Sequence, residues 1–148
     1  MTPRIDHVEL TVRDLDRAER FYDLLLPLLG FDLAHKSRSD IPAHQFRCVD
    51  YGSAAFNLAL ISPRDAYAGE AVCRRRPGAL HHIAFGADSP AEVDRLCGAV
   101  RAIPGARIRI PPRLYPEYAP DYYAFFFYDT EGIELEIVSF DRTACFAR

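Results

Sequence analysis

Apolar and polar residues alternate over residues 7–12, and the same alternation returns 75 positions later over residues 82–87. A period of two is typical of a strand with one face against a core. Other features recur at the same offset: His7 with His82, Leu10 with Phe85, Asp14 with Ser89, Phe21 with Leu96 and Gly30 with Gly105. The shared offset indicates an internal duplication.

Each predicted strand leads into a helix that begins at a capping residue. Asp14 can cap the first helix, and Pro27 ends its apolar periodicity near Leu26. In the second half, Ser89-Pro90-Ala91-Glu92 matches a capping box with proline at the first helical position. The pattern therefore predicts one amphipathic helix in each half.

Three short strands are predicted after each helix. They cover about 31–36, 45–50 and 54–61 in the first half, and about 106–111, 122–129 and 132–139 in the second. Asp129-Thr-Glu-Gly132 predicts the turn between the last two strands. The order βαβββ, repeated, predicts an α+β fold: two tandem modules forming one curved, cup-like sheet with the helices on its outer face.

We expect a single domain with module one at about 4–61, a connection at about 62–78 and module two at about 79–140. A net charge of −3 over 148 residues argues against a nucleic-acid partner. The sequence has no apolar run long enough for a membrane span and no signal-peptide pattern, which predicts a cytoplasmic protein. We interpret the basic run 74–76 as a solvated face of the connection, with an anion site as the alternative.

Strand alternation also predicts which polar residues share a face. Val8, Leu10 and Val12 must lie under the first helix, so His7 and Glu9 turn to the other face. The same rule sends His82 and Glu136 away from the second helix and places His81 on the helix side. Two imidazoles and one carboxylate on one face could form a facial triad for a divalent metal, with coordination positions left open. The alternative is that they are polar residues on the wet side of a sheet.

Other residues near this face are weaker candidates. Glu9 could support a metal ligand or accept a proton, or it could be a solvated glutamate. Glu134 lies at the start of a strand, and we expect it to be exposed. The aromatic segment 113–128 could close over a hydrophobic or aromatic substrate through Tyr115, Tyr118 and Tyr123, or it could serve core packing.

Three stretches resemble the vicinal oxygen chelate superfamily, which includes glyoxalase I, fosfomycin-resistance and bleomycin-binding proteins and extradiol dioxygenases. They are DHVELTVRDLDRAERFY, HHIAFGADS and FFFYDTEGIELEIV, the last with Thr130 where the family usually has proline. The resemblance implies paired βαβββ modules and a divalent metal (zinc, iron, manganese, nickel or cobalt) on His7, His82 and Glu136. Members of the family form dimers, so a homodimer is one arrangement that the resemblance allows, and the sequence leaves the oligomeric state open.

Departures from the family pattern narrow the range of reactions that the resemblance implies. Alignment of FNLALI with IELEIV puts Ala59 opposite Glu136 and Asn57 opposite Glu134, so the fourth ligand of glyoxalase I is missing. Phe126 stands where extradiol dioxygenases have tyrosine, and the segment 117–121 has no histidine.

The resemblance therefore favours a glyoxalase-like, metal-dependent lyase, isomerase or addition enzyme. Its substrate would be a small molecule chelated through adjacent oxygens, with Glu136 as ligand and base. The alternatives are a metal-free drug- or metabolite-binding protein and an extradiol dioxygenase.

Overall fold

The computed structural model describes residues 4–146, with side chains described as far as Ala144. The chain divides into two compact units between Val72 and Cys73. Each unit contains one four-stranded sheet and one long helix, which confirms the predicted α+β class with two βαβββ modules. Within residues 4–146, no helix has the length and apolar character that crossing a membrane requires.

The first unit contains a sheet with strand order β1-β4-β3-β2, in which β1 and β4 are parallel. Its elements are β1 (His7–Thr11), α1 (Leu15–Leu25), β2 (Lys36–Ile41), β3 (Phe46–Tyr51) and β4 (Asn57–Ile61). Helix α1 begins as predicted, because Asp14 Oδ1 accepts a hydrogen bond of 2.9 Å from the Arg17 amide.

The strand predicted at about 31–36 is displaced. Leu33–His35 forms a short 3₁₀ turn instead, and β2 begins at Lys36. The turn forms because the Asp32 carboxylate accepts a hydrogen bond of 2.9 Å from the Ala34 amide, an arrangement that competes with strand pairing. Phe31 is buried, so its apolar character reflects core packing rather than a strand.

The second unit repeats the topology as β5-β8-β7-β6, with β5 parallel to β8. Its elements are β5 (Ile83–Gly86), α2 (Pro90–Arg101), β6 (Arg107–Leu114), β7 (Tyr123–Tyr128), β8 (Glu134–Ser139) and α3 (Arg142–Phe146). Ser89 caps α2 through the Glu92 amide. Asp129 closes the β7–β8 turn, because its Oδ1 atom accepts hydrogen bonds of 2.8 Å from the backbone amides of Glu131 and Ile133.

The core of the second unit lies between α2 and the face of the sheet that alternation predicted. Leu135 and Ile137 of β8 are fully buried, as are Val93 and Val100 of α2. Burial of each such side chain contributes about 1.5–3 kcal/mol. Because side chains alternate along β8, Glu134, Glu136 and Val138 must point to the opposite face.

Strand register confirms the alignment between the modules. Glu9 pairs with Ala59 across β1 and β4, and Ala84, which lies 75 positions after Glu9, pairs with Glu136 across β5 and β8. Ala59 therefore occupies in the first sheet the place that Glu136 occupies in the second. The first sheet has no carboxylate at this position of β4.

Candidate functional site

A cavity of about 610 Å³ opens on the face of the second sheet that carries Glu134 and Glu136. Its lining consists of four arginines, two histidines, three glutamates, three tyrosines, Ile110 and Phe126, all from the second unit. Charged and aromatic groups thus share one recess, a composition suited to a small ligand that has both kinds of surface.

Glu136 lines this cavity and is 1% exposed. Its Oε2 atom is 3.1 Å from His82 Nε2, and its Oε1 atom accepts a hydrogen bond of 2.7 Å from the Tyr122 hydroxyl. Burial raises the pKa of the Glu136 carboxyl, although Tyr122 and His82 act in the opposite direction. The carboxylate is thus held at both oxygens, one of them beside an imidazole nitrogen.

Glu134 is also 1% exposed, which corrects the expectation that it would be solvated. Arg109 Nη1 donates to its Oε1 at 2.7 Å, and Arg74 Nη1 lies 2.7 Å from its Oε2. The contact at Oε2 is an ion pair without hydrogen-bond alignment. Two guanidinium groups offset the cost of burying this carboxylate. No sequence pattern within β8 indicates that Glu134 would be buried.

The basic run 74–76 is therefore not simply a solvated face. Arg74 and Arg75 line the cavity, and Arg74 is partly buried. For Arg74 the prediction was wrong, because its partner Glu134 is distant in sequence and approaches only in the folded unit, whereas Arg75 and Arg76 are exposed.

His81 does not lie on the helix side, as alternation predicted, but lines the same cavity as His82. The reason is that β5 begins at Ile83, so strand alternation does not extend back to His81. His81 Nδ1 is 2.7 Å from His82 Nδ1, and His81 Nε2 is 3.0 Å from Arg74 Nη1. Desolvation and the charge of Arg74 lower the pKa of His81, which favours its neutral form.

The predicted substrate-binding tyrosines separate into two groups. Tyr115 and Tyr118 line the cavity. The Tyr123 hydroxyl instead donates to Asp94 of α2 at 2.9 Å, so this side chain lies on the helix face. Tyr122 is the cavity residue of the pair, and sequence reasoning missed its role. Alternation along β7 contained the signal, because Tyr122 shares its parity with Phe126, which also lines the cavity.

His7 and Glu9 lie on β1 of the first unit, and both are exposed. His7 Nδ1 is 2.9 Å from Asp6 Oδ1, and this hydrogen bond raises the pKa of His7. Of the three predicted metal ligands, His82 and Glu136 are in contact with each other. Among the side chains described, those of residues 4–144, no three or more His, Cys, Asp or Glu residues form a group that could hold a metal ion.

The family model described as Glyoxalase/Bleomycin resistance protein/Dioxygenase superfamily matches residues 4–137. The chain is 31% identical to YqjT of Bacillus subtilis (strain 168), a protein of uncharacterised function, over 134 residues that cover 90% of this chain and 96% of YqjT.

Solved structures give the same picture of the fold. A protein of Bacillus halodurans, provisionally assigned as a glyoxalase, has a TM-score of 0.68 and 28% identity, covering 91% of this chain and 94% of that chain. A glyoxylase/bleomycin resistance protein/dioxygenase domain from Frankia sp. EAN1pec has a TM-score of 0.72 and 23% identity, covering 94% of this chain and 98% of that chain.

Proposed function

We propose a function from one premise: the chain belongs to the Glyoxalase/Bleomycin resistance protein/Dioxygenase superfamily. The proposed function is a divalent-metal-dependent, glyoxalase-like enzyme that carries out isomerisation, elimination or addition on a small oxygenated substrate. The observation that supports it best is the contact between His82 and Glu136, which line the same cavity.

The residues present suit a transition metal ion. An imidazole nitrogen and a carboxylate oxygen, 3.1 Å apart, face the same recess and are donors that zinc, iron, manganese, nickel and cobalt accept. His82 and Glu136 would hold the ion. The proposal for His7 as the third ligand rests on the duplication in the sequence, since His7 belongs to the first unit.

A bound metal would polarise adjacent substrate oxygens as a Lewis acid. The chain's own residues would supply the proton chemistry. The Tyr122 hydroxyl fixes the orientation of Glu136 through Oε1, which leaves Oε2 beside His82. We assign Glu136 the role of proton acceptor in addition to that of ligand, because Tyr122 holds its Oε1 atom while its Oε2 atom lies beside the His82 imidazole.

Phe126 argues against ring-cleaving oxygenase chemistry. Its backbone pairs with that of Glu136, and its ring meets the His82 ring edge to face at 5.9 Å. This side chain packs against the proposed ligand and offers no hydroxyl group to an oxygenated substrate.

Metal analysis of purified variants tests the proposal. After incubation with Zn²⁺, Mn²⁺, Ni²⁺ or Co²⁺ and gel filtration, we expect the wild type to retain about one ion per chain and His82→Ala and Glu136→Ala to retain almost none. His35→Ala is the matched control, since His35 is exposed and does not line the cavity. Inclusion of His7→Ala tests the third ligand separately.

A Co²⁺ absorption spectrum provides a second measurement that does not depend on activity. Loss of the bands in His82→Ala but not in His35→Ala would support the assignment. A wild type that takes up no ion would overturn the proposal in favour of a metal-free binding protein. Light scattering on the same samples tests whether the chain forms a homodimer.

A further inference from the structure

We infer that the cavity recognises an elongated small molecule with an anionic group at one end and a planar aromatic group at the other. The inference rests on the proposed function only in taking this cavity as the substrate site. It assigns a class of substrate that neither the fold nor the metal hypothesis specifies.

The order of residues along β8 separates the two ends. Glu134, Glu136 and Val138 share the cavity face of the sheet, and successive members are about 6.5 Å apart along the strand. Glu134 forms ion pairs with Arg74 and Arg109. Glu136 contacts His82 and Tyr122. Val138 packs in a cluster with aromatic side chains. The pair at Glu136 therefore lies between a charged end and an aromatic end.

The charged end has an excess of positive charge. Arg74 and Arg109 share the single carboxylate of Glu134, so this group of three carries a net charge of +1. Arg75 also lines the cavity and adds a second positive charge. His81 contacts Arg74, with its Nε2 atom 3.0 Å from Arg74 Nη1, and adds a polar group to this end. Guanidinium groups in this setting bind a carboxylate or a phosphate through charge-assisted hydrogen bonds.

The aromatic end consists of rings in mutual contact. The Arg113 guanidinium lies 3.8 Å from the centroid of the Tyr115 ring, but it pairs with Glu117, so these two charges cancel. Tyr115 lies 5.8 Å from Tyr118, 6.2 Å from Tyr122 and 5.7 Å from Phe126, measured between ring centroids. Tyr118 is 66% exposed, so its ring is accessible to a planar ligand.

A further feature of this end also indicates a ligand. Tyr115 is 3% exposed, and its hydroxyl has no hydrogen-bond partner within the described part of the chain. An unpaired buried hydroxyl is unfavourable, and a ligand oxygen that accepts a hydrogen bond from it would remove the penalty.

Calorimetry on the full-length chain tests the inference with three probes that share one ring system: 2-naphthoate, 2-naphthyl phosphate and the neutral 2-naphthalenemethanol. EDTA is present throughout, so that a metal cannot account for a preference for anions. We expect at least one anion to bind about tenfold more tightly than the alcohol, because the anion meets the excess positive charge.

Variants locate the two ends. Arg75→Gln should weaken anion binding about threefold and leave the alcohol unchanged, because Arg75 is exposed and contributes charge without burying an ion pair. Tyr118→Ser should weaken all three probes. Arg20→Gln, an equal change of charge at an exposed position of α1, is the control and should change nothing.

Equal binding of anions and alcohol would overturn the inference, as would an Arg75→Gln variant with unchanged anion affinity or an absence of binding by all three probes. These outcomes are separate from the metal test. Retention of metal without anion preference refutes only the substrate class, whereas anion preference without retention of metal refutes only the proposed enzyme.

Discussion

The two modules have the same strand order, yet each buries a carboxylate on a different face of its sheet. In the first, Glu19 of α1 is 4% exposed and pairs with Lys36 and Arg38 of β2. In the second, Glu134 of β8 is 1% exposed and pairs with Arg74 and Arg109. The same device, one buried anion between two cations, thus occurs in two different places.

The location of each group of ion pairs determines its role. In the first module the ion pairs connect helix to sheet, and Tyr51 extends them by donating to Asp23 at 2.9 Å. In the second module the pairs lie on the face away from the helix and form part of the lining of a cavity. The two modules therefore share an architecture, while differences at a few positions put their buried ion pairs on different faces of the sheet.

Removal of both cations from Glu134 should produce the largest effect on stability. We expect Arg74→Met/Arg109→Met to lose about 3–5 kcal/mol of unfolding free energy, because a buried carboxylate is left without a partner. Addition of Glu134→Leu should restore most of the loss. Urea denaturation followed by circular dichroism measures both.

The matching variant in the first module is Lys36→Met/Arg38→Met. It should also lose stability but should leave binding of the naphthyl probes unchanged, since these residues lie outside the cavity. If this variant abolished probe binding, or if the triple variant at Glu134 were no more stable than the double, the contrast between the two devices would be wrong.

A smaller effect is expected when the hydroxyl groups of the neighbouring residues Tyr122 and Tyr123 are removed one at a time. Tyr122→Phe removes the hydrogen bond to Glu136 and should weaken metal binding about 10- to 100-fold, the cost typical of losing a group that orients a ligand. Tyr123→Phe removes a bond to Asp94 on the helix face and should leave metal affinity unchanged. Competition with a chelating dye measures both, and equal effects would contradict the division of the two faces.

Tyr51→Phe should have the smallest effect, and its effect should depend on pH. Burial and the hydrogen bond to Asp23 raise the pKa of Tyr51, so the folded protein keeps the proton at a pH where the unfolded chain loses it. This contribution is complete below about pH 10, the ordinary value for tyrosine, and is lost as the pH rises further.

At pH 8 the variant should therefore be less stable than the wild type by about 1 kcal/mol, the usual value of a lost hydrogen bond. The difference should shrink between pH 10 and 11, as measured by urea denaturation at each pH. A constant difference would show that ionisation of Tyr51 is not coupled to folding.

Local patterns were enough to predict the modules and much of the site. The caps at Asp14 and Ser89 and the turn at Asp129 appear as predicted, since each depends on a side chain and amides within four residues. Alternation placed Glu136 on the correct face, and register confirmed Ala59 as its counterpart. These features follow from the sequence because the side-chain period of a strand is a local property.

The sequence by itself thus determined the βαβββ repeat, the face that carries His82 and Glu136 and the lack of a carboxylate at Ala59. Tertiary structure alone decided that Glu134 is buried, that Arg74 lines the cavity and that His81 joins His82. Each of these depends on where a strand begins or on a partner distant in sequence. A charged side chain becomes buried only when folding brings an opposite charge to it, and no local pattern specifies that partner.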